Sequence, residues 1–295
     1  MKMRKGADSA PFSFGLNSVA MRLHKQYSGL FLCICTISSA VWADTGIDKD
    51  YLEIGIFSQY FDYRELDTSH DRLLKEYGRL PGFHVSLGQS HSNFSTKFTV
   101  ALSQGSVIYD GQTQGSVPLD TTTEEQITQI EFSVRPNSKP IDNVAVLFDM
   151  GFGYRTWVRD IQPTATTNGL YEVYQWAYSK LALGFHWRLS PRMSVGVAGE
   201  ALHPINPTID VNVVGYDRVS LNMNGQDTFR LSLPVHIRYT NNVLWIFEPF
   251  WQMWEMGRGD TKPLYVGGVP TAYSATEPDN TVRMIGVSVS MRFTQ

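Results

Sequence analysis

Apolar and polar residues alternate with a period of two in segment after segment of this sequence. Residues 144–155 show the pattern best: Val144, Val146 and Phe148 would lie on one face of an extended chain, with Asp149 on the other. Such alternation is typical of β-strands with a single apolar face. Ten segments follow it: residues 51–65, 83–88, 94–103, 128–135, 144–155, 180–188, 193–200, 229–239, 245–253 and 285–293. We therefore predict an all-β chain of ten antiparallel strands.

The connections between these segments alternate in length. Short links lie at 90–93, 136–142, 189–192 and 240–242, and long ones at roughly 66–79, 111–123, 160–171, 203–226 and 257–280. A soluble β-sandwich, the alternative, does not sort its connections in this way, and its strands average only ~5–6 residues. Short turns at one end and long loops at the other are the pattern of a transmembrane β-barrel. Ile209, Val211 and Val213 alternate within a long link, which predicts that the strands beside it extend as a hairpin beyond the membrane.

Composition excludes several other classes. Charged residues make up 18% and aromatic residues 13%, which is unlike a disordered chain. The net charge of −3 and the pI near 6.2 do not favour a nucleic-acid binder. With a mean hydropathy of −0.19, the main body lacks the apolar stretches of ~20 residues that membrane helices need.

The N-terminal region has the three parts of an export signal. Arg22, His24 and Lys25 form a basic region, residues 29–37 an apolar core, and Val41 and Ala43 occupy the positions read by signal peptidase. We predict a signal peptide over residues 1–43, with Met21 as an alternative start, and a barrel domain over residues 44–295. A membrane anchor is the alternative, but the apolar core is too short to span a bilayer. Both cysteines, Cys33 and Cys35, fall within the signal, so the mature chain would contain none.

With these features the sequence resembles a Gram-negative outer-membrane β-barrel protein. The last strand ends on Phe293, which is similar to the C-terminal signal that such proteins present to the barrel-assembly machinery, although Thr294 and Gln295 follow it. The resemblance implies a location in the outer membrane, with both termini in the periplasm. The implied partners are outer-membrane lipids, lipopolysaccharide and the assembly machinery, and no ligand of the loops is indicated.

Residue parity separates the side chains expected inside the barrel from those facing lipid. The lumen candidates are Glu53, Lys97, Glu131, Arg135, Asp149, Arg155, Lys180, His186, Glu200, Arg230, His236, Arg238, Glu248 and Arg292. Aromatic residues expected in belts at the membrane interfaces are Tyr60, Phe94, Tyr154, Trp187, Phe229, Tyr239, Trp245, Trp251 and Phe293. We interpret the lumen charges as a salt-bridged network that seals the barrel, because an unpaired interior charge is costly.

Ten strands leave at most a narrow lumen, which favours a structural or surface-interaction role through the loops. A narrow ion or small-solute channel is the first alternative, with Arg230, His236 and Arg238 favouring anions. An omptin-like protease or a lipid-modifying barrel enzyme is the second. Its candidates at the rim are Asp62, Glu65, Asp160, Glu172, Asp210, Glu255 and His203, and inside the barrel His84 and Ser86. No catalytic spacing links these residues, so we assign no catalytic, cofactor or metal site.

Overall fold

A computed structural model of the chain describes residues 49–67, 69, 71–112, 117–138, 141 and 143–295. The predicted signal peptide lies outside the described residues. The strands within them, numbered in chain order, are β1 (Tyr51–Leu66), β2 (Arg72–Ser90), β3 (Phe94–Gln112), β4 (Pro118–Pro136), β5 (Val144–Ile161), β6 (Leu170–Arg188), β7 (Met193–Val213), β8 (Val219–Asn222), β9 (Asn224–Gly225), β10 (Thr228–Ser232), β11 (Val235–Arg238), β12 (Val243–Gly257), β13 (Thr261–Val266), β14 (Val269–Thr276) and β15 (Asp279–Thr294). No helix in this part of the chain is long and apolar enough to cross a membrane.

The strands form a closed antiparallel barrel with ten positions in its wall. Neighbours in sequence pair from β1 through β7, and β1 pairs along its whole length with the last strand, β15. The short strands β8, β9, β10 and β11 share the eighth position, between β7 and β12. Strand β12 then pairs with β15 and completes the wall. The predicted ten-stranded barrel is confirmed.

A proline interrupts the eighth strand of the wall. The alternating segment 229–239 predicted one continuous strand, but pairing stops between β10 and β11, where Pro234 lacks the N–H needed for the ladder. The neighbouring backbone compensates: Gly196 donates to the Pro234 carbonyl at 2.8 Å, and Leu233 donates to the Pro249 carbonyl at 3.0 Å. The wall therefore remains hydrogen-bonded through the interruption.

The strands extend well beyond the alternating segments because the pattern inverts along the barrel. On β1, Ile54 and Ile56 are exposed on the outer surface, whereas Phe61 and Tyr63 are fully buried inside the barrel. The parity is unchanged, but beyond Tyr60 the outward residues Asp62 and Arg64 are polar, and aromatic side chains begin to face inward. Much of each predicted long link is consequently strand, and the links between β1 and β2 and between β5 and β6 shrink to 67–71 and 162–169.

An apolar band surrounds the half of the barrel that carries Asp50, Gln295 and the short turns, which we call the terminus end. Its exposed side chains include Leu52, Ile54, Ile56, Phe83, Leu87, Phe98, Ile130, Phe148, Phe152, Leu181, Leu183, Leu231, Leu233, Phe247, Ile285 and Val287. A contiguous apolar surface of this extent fits lipid rather than water. A closed sheet also leaves no unpaired edge in hydrocarbon. The structure is therefore that of a transmembrane barrel.

The predicted belt residues lie on the outer surface. Tyr60, Phe94, Tyr154, Trp187, Phe229, Tyr239, Trp251 and Phe293 are exposed, whereas Trp245 is half-buried. Tyr60 and Tyr154 mark the boundary of the band toward the long connections. Residues further along β1 and β5 lie beyond the membrane-spanning segments, in the part we call the loop end.

Candidate functional site

A layer of aromatic side chains crosses the interior where the apolar band ends. This aromatic layer comprises Phe61, Trp157, Trp176, Tyr178 and Trp254, all buried. The ring centroids of Phe61 on β1 and Trp157 on β5 are 6.0 Å apart, and those of Trp176 on β6 and Trp254 on β12 are 5.8 Å apart. Trp157 and Trp254, one residue from each pair, have ring centroids 6.5 Å apart and so connect the two pairs. Strands β5 and β6 are neighbours, whereas β1 and β12 lie on the opposite side of the wall, so the layer crosses the lumen from one side to the other.

A cluster of buried charged groups lies next to the aromatic layer, on its loop-end side. The Arg159 cluster comprises Arg159, Glu65, Glu76, Glu125, Glu172, Glu277, Tyr63 and Tyr174. The Arg159 guanidinium donates to Glu76 at 2.8 Å and to Glu172 at 2.6 Å. It also donates to the Tyr174 hydroxyl at 3.1 Å and to Glu65 at 3.3 Å. One arginine thereby connects β1, β2, β5 and β6.

Tyrosine and tryptophan side chains bind the remaining two carboxyl groups. The Tyr174 hydroxyl donates to Glu277 at 2.6 Å, and Tyr63 donates to the same oxygen at 3.4 Å. Trp157 donates its indole N–H to one oxygen of Glu125. Glu277 lies between β14 and β15, so the cluster ties the last connection of the chain to the opposite side of the barrel.

The Arg159 cluster contains five carboxyl groups and one guanidinium. Isolated buried carboxylates are strongly disfavoured, so such groups take up protons instead. Burial raises the pKa of Glu172 to about 7, against the opposing effect of the Arg159 charge. Burial also raises the pKa of Glu65, and raises those of Glu125 and Glu277 well above the ordinary range. The cluster therefore holds protons at neutral pH. Hydrogen bonds hold its neutral carboxyl groups, and Arg159 pairs with the negative charge that remains.

Below the aromatic layer, within the apolar band, the lumen is polar and lined by ion pairs. Arg292 lies 2.8 Å from Glu53, Arg135 2.8 Å from Asp149, and Arg230 2.7 Å from Glu248. Lys180 is paired with Glu131 and lies 3.9 Å from Glu200. A cavity of about 210 Å³ lies among them, and of these groups it is lined by Glu53, Glu131, Lys180, Glu200, Arg230 and Glu248.

The predicted lumen residues divide between this cavity and the terminus end of the barrel. Glu53, Lys97, Glu131, Arg155, Lys180, Glu200, Arg230 and Glu248 line the cavity. His186 and His236 face each other, with ring centroids 4.6 Å apart. Arg238 is exposed beside the short turn at 239–242 and does not line the cavity.

Sequence reasoning missed most of the Arg159 cluster. Glu76 and Glu277 fall in segments predicted as loops, and Arg159 falls immediately before one. The sequence predicts Glu65 and Glu172 at the rim, whereas the structure buries both inside the barrel. A usable signal was present: an aromatic residue precedes or follows a charged one at a spacing of two. The instances are Tyr63 with Glu65, Trp157 with Arg159, and Glu172 with Tyr174.

The histidines considered for catalysis lie apart from the cluster. His203 is exposed on the outer surface, and its Nδ1 is 2.7 Å from Asp227. His84 contacts Glu53 at 3.3 Å, while Ser86 bonds to Thr99 at 2.9 Å. The His84–Ser86 couple considered from the sequence therefore does not form. Among the described residues, no group of three or more His, Cys, Asp or Glu side chains is arranged to hold a metal ion.

The fold is similar to that of known outer-membrane barrels. No protein-family model and no curated protein matches the sequence. The outer-membrane protease OmpT from Escherichia coli aligns with 88% of this chain and 100% of its own, with a TM-score of 0.58 at 11% identity. The toluene transporter TodX of P. putida aligns with 84% of this chain and 90% of its own (TM-score 0.34, 8% identity). The translocator domain of the autotransporter NalP from Neisseria meningitidis aligns with 80% of this chain and 87% of its own (TM-score 0.37, 8% identity).

The likeness to OmpT shows the fold alone, because so few residues are shared. Together with the apolar outer band, it defines the chain as a transmembrane β-barrel with the fold of a known outer-membrane barrel. Within that class the structure is a ten-stranded barrel whose interior is closed toward the loop end by the aromatic layer and the Arg159 cluster.

Proposed function

We propose that this protein is a closed outer-membrane barrel that presents its loop end to the cell exterior as an interaction surface. The observation that carries this proposal is the fully buried plug formed by the aromatic layer and the Arg159 cluster. Trp157, Arg159 and Tyr174 have essentially no solvent-accessible surface, as expected of a packed core and not of a pore lining.

The termini and the short turns face the periplasm in this proposal, and the long strand extensions face outward. An even number of strands brings both termini to one end, and short periplasmic turns with longer outer connections are the rule for such barrels. Outer-membrane lipids and lipopolysaccharide surround the apolar band. The barrel-assembly machinery is the insertion partner, and the C-terminal strand that ends near Phe293 is its recognition signal.

At the loop end, the connection between β7 and β8 is hydrogen-bonded to the turn between β13 and β14, and the two form one surface. Asp217, which follows the β7 extension, accepts hydrogen bonds from the backbone N–H groups of Gly267 and Gly268, at 3.2 and 2.8 Å. These glycines have φ of 58° and 79°, which the tight turn between β13 and β14 requires. Val266 and Val269 are exposed beside them. An ordered loop surface on a rigid barrel is suited to binding.

Conductance in planar lipid bilayers tests whether the barrel is closed. The purified wild-type protein should insert without producing steady single-channel currents at any applied voltage. Trp157→Ala combined with Trp254→Ala would remove the two central indoles of the aromatic layer and should produce measurable currents. Phe148→Ala, a change on the lipid-facing surface, is the matched control and should remain silent. Steady currents from the wild-type protein would contradict the proposal and support the narrow-channel alternative.

A further inference from the structure

The acidic groups of the lumen each have a cationic partner. The ion pairs are Glu53 with Arg292, Glu131 with Lys180, Asp149 with Arg135, and Glu248 with Arg230, while Glu200 lies 3.9 Å from both Lys180 and Arg230. These five acids share four cations, because Glu200 has no cation of its own. The two cations that remain, Lys97 and Arg155, bring the balance of these groups to one positive charge.

Arg155 is such a cation. It is 4% exposed and lines the cavity, yet no carboxylate of the described residues lies within 4.0 Å of it. Its guanidinium stacks 3.6 Å from the Trp254 ring centroid and donates to the amide oxygen of Gln129. Its Nε has no hydrogen-bond partner. A buried guanidinium with an unsatisfied donor is costly unless an anion or water compensates it.

Lys97 is a second such cation on the wall of the same cavity. Within the described part of the chain, no carboxylate lies within 4.0 Å of its ammonium group. The two acids that attract it at longer range, Glu53 and Glu131, are already paired with Arg292 and Lys180. Lys97 and Arg155 are thus two cations that no carboxylate of the described residues contacts directly, and together with the ion pairs they leave one positive charge in excess.

The remainder of the cavity wall indicates what kind of anion would fit. Gln59, Gln252 and Ser86 supply neutral hydrogen-bonding groups, while Phe57, Leu102 and Ile246 supply apolar surface. A volume of about 210 Å³ corresponds to roughly seven waters at their ~30 Å³ each, which is the size of a small organic molecule. Arginine is favoured wherever a planar carboxylate is bound.

We propose that the lumen cavity binds a short-chain carboxylate anion, with Arg155 and Lys97 neutralising the carboxylate and the apolar part of the wall contacting the alkyl chain. This goes beyond the proposed surface role. The anion reaches the cavity from the terminus end, because the loop end is filled by the aromatic layer. The solvent exposure of the arginine side chains agrees with this route. Arg292 and Arg135, nearer the terminus end, are 23% and 30% exposed, whereas Arg159, on the other side of the aromatic layer, is 0% exposed.

Titration of the detergent-solubilised barrel with sodium butyrate, followed by calorimetry at constant ionic strength, tests this site. We expect saturable binding of one butyrate per chain. Lys97→Met should weaken the affinity on the order of tenfold, Lys97→Arg should restore most of it, and Arg155→Gln should weaken it at least as much. Arg192→Gln, at an exposed short turn, is the matched control and should leave the affinity unchanged.

Competition with butanol and with inorganic phosphate distinguishes a carboxylate site from a purely apolar site or a general anion site. Butanol has the alkyl chain without the charge, and inorganic phosphate has the charge without the chain, so each should bind more weakly than butyrate. Absence of saturable butyrate binding, equal binding of butanol or of phosphate, or unchanged affinity in Lys97→Met would each overturn the proposal. Lys97 is only half-buried, so its variants keep the test valid even if Arg155→Gln fails to fold. Absence of butyrate binding would not change the conductance expected of the closed barrel in planar bilayers, so the two proposals can fail separately.

Discussion

Arg159 donates from Nη2 to Oε1 of Glu76 at 2.8 Å, and neither side chain has any solvent-accessible surface. The two residues are 83 positions apart in sequence, on β5 and β2. Their contact therefore forms only when the barrel closes and its interior packs. Arg159 also reaches Glu65 and Glu172, so this one side chain joins strands across the loop end of the barrel.

Removal of Arg159 should strongly destabilise the barrel. Arg159→Met leaves buried carboxyl groups without their only cation, and breaking a buried pair in this way costs about 3–5 kcal/mol. Urea-induced unfolding in detergent micelles measures the loss. Arg72→Met provides the matched control, because Arg72 is half exposed and lies 3.6 Å from Asp110, where an ion pair contributes less than about 1 kcal/mol. Equal losses for the two variants would contradict the assignment of the cluster as a structural plug.

Stability should fall as the pH rises through neutrality. Burial raises the pKa of Glu172 from 4.5 to about 7, so the folded barrel holds this proton more tightly than the unfolded chain does. The resulting stabilisation is complete below pH 4.5 and is lost as the pH rises through about 7. Glu65 is shifted in the same direction and adds to the effect. The unfolding midpoint should thus decline between about pH 5 and pH 8.

Glu172→Gln isolates this contribution. The neutral amide cannot ionise, so the unfolding midpoint of the variant should depend less on pH over that interval than the wild-type midpoint. Asp120→Asn, at an exposed position on β4, should leave the pH profile unchanged. A Glu172→Gln profile identical to that of the wild type would show that this carboxyl group does not hold a proton in the folded barrel.

The sequence predicts the membrane-spanning half of the barrel well, because lipid outside and polar groups inside produce a regular alternation. Leu52, Ile54 and Ile56 show it on β1, and the inward position of the charged lumen residues follows from the same parity. Beyond the membrane the physical constraint reverses, since water surrounds the barrel and aromatic side chains fill it. Phe61 and Tyr63 keep the parity of β1, but they are aromatic and face inward. A strand prediction that relies on outward apolar residues therefore places the end of the strand too early.

Long-range contacts explain the other residues that the sequence did not predict. Glu277 lies in a short connection, and nothing near it in sequence indicates that Tyr174, 103 residues earlier, donates to it at 2.6 Å. The absence of a carboxylate beside Arg155 is likewise a property of the assembled lumen. Parity places a side chain inside the barrel, but only packing determines which partner it meets.

Glycine on the inner face of β5 should be required for the aromatic layer. A Cβ added at Gly153 would lie 2.3 Å from Cζ of Tyr178 and 2.7 Å from the backbone oxygen of Ile130. Gly153→Ala should therefore displace the Tyr178 ring and weaken its 3.0 Å hydrogen bond to Glu131, at a cost of about 1–3 kcal/mol. Gly199→Ala is the control, because no atom lies within 4 Å of the added group. Thermal unfolding should show a lower midpoint for the first variant only, and comparable midpoints would argue against tight packing at this layer.

Single cysteines should reveal which end of the barrel faces outward. Both natural cysteines lie in the predicted signal peptide, so an introduced cysteine would be the sole thiol of the mature chain. Val266→Cys places it at the exposed β13–β14 turn, and Asn241→Cys places it at a short turn of the opposite end. A polymer-linked maleimide too large to cross the outer membrane should label the Val266 variant in intact cells. It should label the Asn241 variant only after the membrane is permeabilised. The reverse pattern, or labelling of both variants in intact cells, would contradict the proposed orientation.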